Sequence, residues 1–428
     1  MQFHQLVISL ALIAPISSFP QTTQKTIRLP QPSGKYGVAR IAYDWVDYSR
    51  RDAFSKVPGS HREIMVYVWY PTKSDLGNDS LSEYLPHADE ITKKLSDKEL
   101  EDGWGGSWHR VFSKQVLTDT HESTPVAAGA EKLPLLVFSP GEGVPDTSYT
   151  TLFQDVASRG YVVAAIEPTH ESPAVGFPDG RVVRSSPEAL VDRQIVPGEA
   201  RVQFLARMHA LEAPHLDRWA ADIRFVIDQL STKVKRGNEA TPFTDRIDVR
   251  KIGAWGHSIG GRAAARACQL DKRIRACLNA DGAGPDGPIF PYEGTTPPRQ
   301  PFLWIEASPT PPPTDEILAL YKITRQQWQA ERDARLAAFE RQLRSCLGGS
   351  YHLAINIPGI DHYSFTDWAL LEAENKEDFD KAARALDLLQ NHVIAFFDKH
   401  LRNAKNTLLD KEANVSAGIT LHKYGKAR

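Results

Sequence analysis

A serine between two glycines is the feature of this chain best suited to covalent chemistry. The sequence GHSIG occupies residues 256–260 and has Ser258 at its centre. A strand-like run at 251–255 precedes it, and a helix of small residues at 261–267 follows. A sharp turn between strand and helix, with glycines that relieve crowding, exposes a serine hydroxyl above a sheet. The pattern predicts that Ser258 is a nucleophile; the alternative is a turn with only a structural role.

A serine nucleophile needs a base, and His362 is the best-placed histidine for that role. It follows the last predicted strand and a turn, just before the final helices. In sheets of this kind the nucleophile, the acid and the histidine follow one another along the chain, each at the end of a strand. Histidines at a strand start or on the closing helix are predicted to be structural or exposed: His352, His392 and His400.

The histidine in turn needs a carboxylate that orients it, and four candidates follow the serine. Asp281 ends the first strand after the nucleophile helix and enters a glycine-rich loop. Glu306 ends the next predicted strand and is its main competitor. Asp361 is adjacent to the histidine, and Asp286 lies further along the loop. Chain order alone favours Asp281 and leaves the others open.

Acyl transfer also needs two backbone N–H groups aimed at the developing oxyanion. We expect one from Ile259, the residue after the serine, and one from Glu142 in the loop after a predicted strand. Five further residues are predicted to line the pocket: Pro140, Gly141, His170, His257 and Tyr363. Of these, His257 is expected to pack under the serine turn rather than to act as the base.

Alternating strands and helices must position these residues. Continuous apolar runs predict parallel strands that are buried on both faces. The predicted strands are residues 38–43, 65–70, 135–138, 161–166, 251–255, 274–280, 301–306 and 351–357, and the predicted helices include 148–159, 216–230 and 382–400. This alternation indicates an α/β fold with a mostly parallel central sheet flanked by helices.

Two segments depart from the alternation. Residues 170–212 are charged and are predicted to be irregular, and residues 310–346 are predicted to form a helical insertion between two core strands. Insertions at this edge of a sheet often act as lids, although a solvated helical decoration is an equal alternative. No linker divides the chain, so we expect a single domain over residues 19–428.

Composition excludes several classes of function. A formal net charge of −2 and the absence of a long basic run argue against nucleic-acid binding. The cysteines and histidines lack zinc-site spacing, and no glycine-rich phosphate loop follows the first strand. We therefore expect neither a metal nor an organic cofactor. Oligomeric state cannot be read from the sequence.

The N-terminal residues predict secretion. Residues 1–18 contain a short apolar stretch followed by small residues, the layout of a cleaved signal peptide. Two sequons agree with an extracellular location and make Asn78 and Asn414 candidate glycosylation sites. The chain has three cysteines, too few for a disulfide scaffold and enough for at most one bridge. Cys268 and Cys277 are predicted to be two buried thiols, with a single bridge as the alternative.

Five segments together resemble the secreted platelet-activating factor acetylhydrolase family, of the group VII phospholipase A2 type. They are residues 135–141, 160–167, 256–261, 278–281 and 361–367. The resemblance covers roughly residues 60–400 and implies an α/β-hydrolase fold and a Ca²⁺-independent serine esterase. It implies a small-molecule or lipid ester substrate, such as a phospholipid with a short or oxidised sn-2 acyl group, and transient contact with a membrane or lipoprotein surface.

Carried onto this sequence, the resemblance implies Ser258 as the nucleophile, Asp281 as the acid and His362 as the base. Two positions depart from the family pattern, since Pro140 stands where a histidine is common and Glu142 where an apolar residue is common. A carboxylate beside the oxyanion hole disfavours a nearby anionic phosphate. Alternatives are therefore a hydrolase of another acyl substrate (a lactone, a secondary-metabolite ester, a polyester or an amide) and a binding protein without turnover.

Overall fold

The computed structural model describes residues 26–74, 81–129, 131–191, 196, 199–231, 246–282, 297–307, 312–405, 407–410 and 418–425. Its strands are β1 (Ile27–Arg28), β2 (Gly37–Arg51), β3 (His61–Thr72), β4 (Leu81–Glu83), β5 (Val116–Glu122), β6 (Leu133–Ser139), β7 (Val162–Glu167), β8 (Ala174–Gly176), β9 (Val182–Arg184), β10 (Ile247–His257), β11 (Ile274–Ala280), β12 (Phe302–Ala307), β13 (Ser350–Ile355) and β14 (Ile419–Tyr424). Its α-helices are α1 (Ala88–Thr92), α2 (Asp97–Trp104), α3 (Trp108–Phe112), α4 (Thr150–Ser158), α5 (Arg201–Ser231), α6 (Ile259–Leu270), α7 (Asp315–Tyr321), α8 (Arg325–Arg344), α9 (Trp368–Glu372) and α10 (Lys376–Leu401).

One large sheet forms the centre of the molecule, with the strand order β1-β5-β2-β3-β7-β6-β10-β11-β12-β13-β14. The six strands from β7 to β13 are all parallel to one another. Strand β3 joins β7 in the antiparallel sense, and β14 joins β13 in the same way. Because the six parallel strands all end at the same edge, the loops that follow them meet there.

Helices cover both faces of this sheet, which explains the continuous apolar runs of its central strands. The core on one face includes side chains of α5 and α6, and the core on the other includes side chains of α4 and α10. Every residue of β7 is buried, as expected for a strand enclosed on both sides. The predicted α/β architecture with a mostly parallel sheet is confirmed.

The prediction that residues 170–212 are irregular is wrong in part. Strands β8 and β9 form a small hairpin there, and α5 begins at Arg201, well before the predicted start at residue 216. Pro214 lies inside the early half of α5, where the buried positions combine the apolar Phe204 and Met208 with the polar Glu212 and His215. Tertiary contacts hold this half of the helix, since Glu212 pairs with Arg262 of α6 at 2.5 Å and Phe204 packs edge-on against Tyr321.

The helical insertion between β12 and β13 is present as α7 and α8. Thr314 and Thr324 cap the two helices through their hydroxyl groups. Phe339 of α8 packs edge-on against Trp304 of β12 at 5.7 Å between ring centroids, so part of the insertion is anchored on the sheet. Its role as a lid stays a prediction.

The two cysteines predicted as thiols form a disulfide, so that prediction is wrong. Cys268 lies in the last turn of α6 and Cys277 in β11, and their Cα atoms are 6.5 Å apart. This separation lies within the range that a disulfide spans. The helix packs over the neighbouring strand, which brings together two residues that the sequence separates by a turn. Cys346 is free and buried, and burial raises the pKa of its thiol to about 12.

Candidate active site

The turn that carries Ser258 is held in a strained backbone conformation. Ser258 has φ 56° and ψ −128°, a left-handed value that costs about 1–3 kcal/mol in a residue with a side chain. Crowding explains the flanking glycines. A Cβ on Gly256 would lie 2.5 Å from the Ser139 carbonyl oxygen, and one on Gly260 would lie 2.1 Å from that of Pro140. The predicted sharp turn is therefore present, and the loop after β6 lies against it.

Asp281 lies just beyond the end of β11, beside this turn. Its φ of 53° turns the chain out of the strand, and its N–H donates to the Ile305 carbonyl at 2.7 Å. Oδ1 accepts a hydrogen bond from the Ala307 N–H at 3.0 Å. The Ser258 N–H donates to the Ala280 carbonyl at 2.8 Å, so the two turns are tied together directly.

His362 bridges the serine and the aspartate. Its Nδ1 lies 2.7 Å from Asp281 Oδ2, and its Nε2 lies 3.1 Å from Ser258 Oγ. The carboxylate can only accept, which puts the imidazole hydrogen on Nδ1 and leaves the Nε2 lone pair facing the serine hydroxyl. Burial raises the pKa of Asp281, and its hydrogen bond with His362 acts in the opposite direction. The arrangement is suited to proton transfer from a serine nucleophile.

The other acids considered from the sequence lie elsewhere. Glu306 is within β12 rather than at its end, and its Oε2 lies 2.9 Å from Nε2 of His352. Asp361 caps the 3₁₀ turn after it, where its Oδ1 accepts from the Tyr363 N–H at 3.0 Å. Asp286 lies outside the described residues. Of the described carboxylates considered from the sequence, Asp281 is the one in contact with His362.

The loop after β6 presents its backbone to the serine turn. The Gly141 N–H donates to Tyr149 Oη at 3.1 Å. The amide of Glu142, the oxyanion donor expected from the sequence, follows on the same loop. Ile259 begins α6, and the first N–H groups of a helix lack partners within it. The Glu142 side chain reaches towards the segment after β9, where Oε1 accepts from the Val191 N–H at 3.0 Å.

The remaining pocket candidates occupy different surroundings. His257 is buried beneath the serine turn, as predicted. His170 lies towards the β2–β3 hairpin, with Nε2 3.8 Å from Asp52 Oδ1. Tyr363 is 49% exposed and stacks on Trp368 with ring centroids 5.1 Å apart, so it lies at the surface beside the histidine.

Sequence reasoning did not single out two buried residues beside the site. Tyr149 contacts both the loop after β6 and His257, with Oη 2.8 Å from Nδ1 of that histidine. Asp367, five residues after His362, accepts hydrogen bonds from the Thr151 N–H at 3.3 Å and from Tyr84 Oη at 3.1 Å. Burial raises the pKa of Asp367 to about 7. The available signal was that Asp367 follows the predicted base by only five residues.

Within the described ranges, no group of three or more histidine, cysteine or acidic side chains is arranged to hold a metal ion. The same part of the chain contains no helix long and apolar enough to cross a bilayer. The two glycosylation candidates, Asn78 and Asn414, lie outside the described residues.

Comparisons with known proteins agree on one group. The family model described as platelet-activating factor acetylhydrolase, isoform II, matches residues 21–195, which include Glu142 and end before Ser258. A probable 1-alkyl-2-acetylglycerophosphocholine esterase of Arthroderma benhamiae is 26% identical over 65% of this chain, and the match spans 63% of that relative's length. The platelet-activating factor acetylhydrolase of Canis lupus familiaris is 25% identical over 92% of this chain and 83% of its own.

A solved structure extends the similarity to three dimensions. The ferulic acid esterase of Streptomyces cinnamoneus matches 92% of this chain and 99% of its own, with a TM-score of 0.63 and 25% identity. The resemblance inferred from five short segments is confirmed by matches over much longer stretches. The chain thus has the α/β-hydrolase fold and is similar in sequence to platelet-activating factor acetylhydrolases.

Proposed function

We propose that this protein is a secreted serine esterase in which Ser258, His362 and Asp281 form a catalytic triad. The observation that carries the proposal is the continuous chain of contacts from Ser258 Oγ through both ring nitrogens of His362 to Asp281, at 3.1 and 2.7 Å. The three residues come from three separate strand ends, and the serine holds a strained conformation. Such strain concentrates at functional sites.

In the proposed reaction, Ser258 Oγ attacks the acyl carbon while its proton moves to His362 Nε2. Asp281 accepts from the opposite ring nitrogen and stabilises the imidazolium that forms. The N–H groups of Ile259 and Glu142 bind the developing oxyanion. The carbon–oxygen bond of the ester then breaks, and the leaving alcohol takes the proton from Nε2. Water attacks the acyl-enzyme by the same route, releases the acid and restores the serine.

The favoured substrate class is a phospholipid with a short or oxidised sn-2 acyl group. The names of the relatives from Arthroderma benhamiae and Canis lupus familiaris support this choice. Such a substrate is presented by a membrane or lipoprotein surface, so transient contact with that surface belongs to the proposal. An aromatic ester is the second candidate, because the solved structural relative with 92% coverage of this chain is a ferulic acid esterase.

Secretion is supported by the disulfide between Cys268 and Cys277, since such bonds persist in oxidising compartments. The apolar stretch within residues 1–18 is the second support. Expression in a secreting host and N-terminal sequencing of the protein from the medium tests this part. A mature terminus near residue 19 is expected, and retention inside the cell with residue 1 intact would contradict it.

Hydrolysis of an ester panel tests the activity and ranks the substrates. The purified protein is assayed with p-nitrophenyl acetate, a short-chain phosphatidylcholine, methyl ferulate and a lactone, with Ser258→Ala as the matched control. We expect hydrolysis that depends on Ser258, with the short-chain phospholipid among the best substrates. A higher kcat/KM for methyl ferulate would favour the second candidate. Equal rates for both proteins on every ester would contradict the proposal.

A further inference from the structure

His257, the residue before the serine, is a buried ring with a polar contact at each nitrogen. Only 1% of the residue is exposed. Nδ1 lies 2.8 Å from Tyr149 Oη, and Nε2 lies 2.8 Å from the backbone carbonyl oxygen of His362. One side chain thus contacts both the backbone of His362 and Tyr149, the residue that bonds the loop after β6.

The direction of each hydrogen bond follows from its partners. A carbonyl oxygen can only accept, so His257 Nε2 carries the hydrogen and donates it to His362. A neutral ring then has a lone pair at Nδ1, which accepts the hydroxyl hydrogen of Tyr149. The oxygen of Tyr149 is free to accept, and it receives the Gly141 N–H at 3.1 Å. The bonds run in one direction from the loop after β6, residues 140–145 and called the oxyanion loop below, to the backbone of His362.

The surroundings of the ring favour this neutral form. Burial, together with the nearby His362, lowers the pKa of His257 well below its ordinary value. The rings of His362 and Phe365 pack against it with centroids 4.5 and 5.2 Å away. Because His362 becomes a cation during the proposed reaction, a second cation at this distance would oppose that step.

The space around the ring is closely fitted. A Cβ added at Gly141 would lie 3.1 Å from His257 Nδ1 and 3.4 Å from Tyr149 Oη. A side chain at position 141 would therefore crowd the ring of His257. A shift of the ring would move either the oxyanion loop or the carbonyl of His362.

We propose that His257 is a positioning residue that fixes the oxyanion loop and the backbone of His362 relative to each other. The inference rests on the proposed function, because it assigns those two parts their roles. His257 acts through Tyr149 and through the His362 carbonyl, and in the proposed reaction its own nitrogens take no proton from the substrate. The competing explanation is that the ring only fills space in the core.

Two substitutions at this position separate the explanations. His257→Leu keeps an apolar side chain of similar reach and removes both hydrogen bonds. His257→Gln keeps an N–H donor near the position of Nε2 and can still bond the His362 carbonyl. His392→Leu is the control, since this half-buried histidine bonds the Leu388 carbonyl on α10, away from the site. Melting temperatures of all variants report on folding.

We expect His257→Leu to lose about 100-fold in kcat with little change in KM, the scale associated with small misplacements in active sites. His257→Gln should recover at least about tenfold of that loss, and His392→Leu should keep wild-type kcat. Equal losses in His257→Leu and His257→Gln, or a loss in His257→Leu below about threefold, would overturn the proposal.

A second readout does not depend on turnover. The hydrogen between His362 Nδ1 and Asp281 is expected to give a low-field proton NMR signal in the wild-type protein. In His257→Leu this signal should broaden or shift, and in His257→Gln it should return towards its wild-type position. An unchanged signal in His257→Leu would overturn the positioning role. If the wild-type protein hydrolyses no ester, the proposed function fails separately, and the NMR comparison still decides the role of His257.

Discussion

Two acid–histidine pairs lie at neighbouring strands, and they differ in what the histidine reaches next. Asp281 Oδ2 lies 2.7 Å from Nδ1 of His362, and Glu306 Oε2 lies 2.9 Å from Nε2 of His352. The two contacts are therefore nearly equal in length. His362 also contacts the Ser258 hydroxyl through its other nitrogen. The ring of His352 instead stacks on Trp304, with centroids 4.1 Å apart.

The difference follows from where each carboxylate leaves its strand. Asp281 comes after the last residue of β11 and has a positive φ, so its side chain enters the loop region above the sheet edge. Glu306 lies inside β12, opposite Ala354 of β13, and its side chain stays beside the sheet. Contact between an acid and a histidine is thus insufficient evidence for a catalytic site. The histidine must also lie within hydrogen-bond distance of the serine nucleophile.

Removing the nucleophile should give the largest effect. Ser258→Ala is expected to lower kcat by about 10⁴–10⁶-fold, because the attacking oxygen is lost while the small side chain fits the turn. Steady-state hydrolysis of p-nitrophenyl acetate measures the change, and the melting temperature checks the fold. Turnover within about tenfold of the wild type would show that another group attacks the ester.

Matched substitutions in the two pairs test the comparison itself. Asp281→Asn should lower kcat by about 10⁴-fold, because the amide favours the wrong tautomer of His362. Glu306→Gln should leave kcat within about threefold of wild type, since its partner His352 is not in the chain of contacts to Ser258. A larger loss of kcat in Glu306→Gln than in Asp281→Asn would show that Glu306, and not Asp281, supports the base.

A third carboxyl, Asp367, should affect stability through pH. Its folded pKa of about 7 lies above the ordinary value of 3.8, so the folded protein binds this proton more tightly than the unfolded chain. Its stabilising contribution is therefore fully present below about pH 4 and is lost as the pH rises through 7. Asp367→Asn resembles the protonated form and should match the wild type at pH 4 but be more stable at pH 8.

The size of this difference in unfolding free energy should reach about 4 kcal/mol between pH 4 and pH 8, from about three pKa units. Denaturant unfolding of both proteins across this range measures it. Asp102→Asn is the control, because the Asp102 side chain is 55% exposed and pairs with Lys98 at the surface. Parallel stability curves for wild type and Asp367→Asn would contradict the expectation.

The smallest expected effect concerns the charge beside the oxyanion loop. Glu142→Gln removes the charge and keeps an oxygen that can accept from the Val191 N–H. If the charge disfavours phosphate groups, kcat/KM for a short-chain phospholipid should rise about fivefold relative to neutral p-nitrophenyl acetate. Glu306→Gln, which removes a charge from β12 instead of from the loop after β6, should leave the ratio unchanged. The same ratio in Glu142→Gln and wild type would eliminate the charge effect.

Much of the site could be predicted because its signals are local. A strand, two glycines, a serine and a helix of small residues are contiguous over residues 251–267, and the apolar runs of β6, β7 and β11 are equally continuous. Each of these patterns reflects the backbone conformation of its own segment. The expected chain order of nucleophile, acid and histidine then indicates which later residues to consider as acid and base.

The features that were missed or left open depend on how separate elements pack against one another. The Cys268–Cys277 bond requires α6 to cross β11 at one particular place. Whether Asp281 or Glu306 meets His362 depends on where β12 ends, and that strand continues to Ala307. The bridge from Tyr149 to His257 joins residues 108 positions apart. Local propensity does not encode how these elements pack.

Covalent labelling tests the central claim most directly. The purified protein is treated with a fluorophosphonate ester, which phosphonylates activated serines, and the modified peptide is identified by mass spectrometry. The account predicts one adduct per chain, located on Ser258, with labelling slowed by about 10³-fold or more in His362→Ala, because the hydroxyl then lacks its base. An adduct at another residue, or labelling of Ser258 at the same rate in His362→Ala, would contradict the proposed triad.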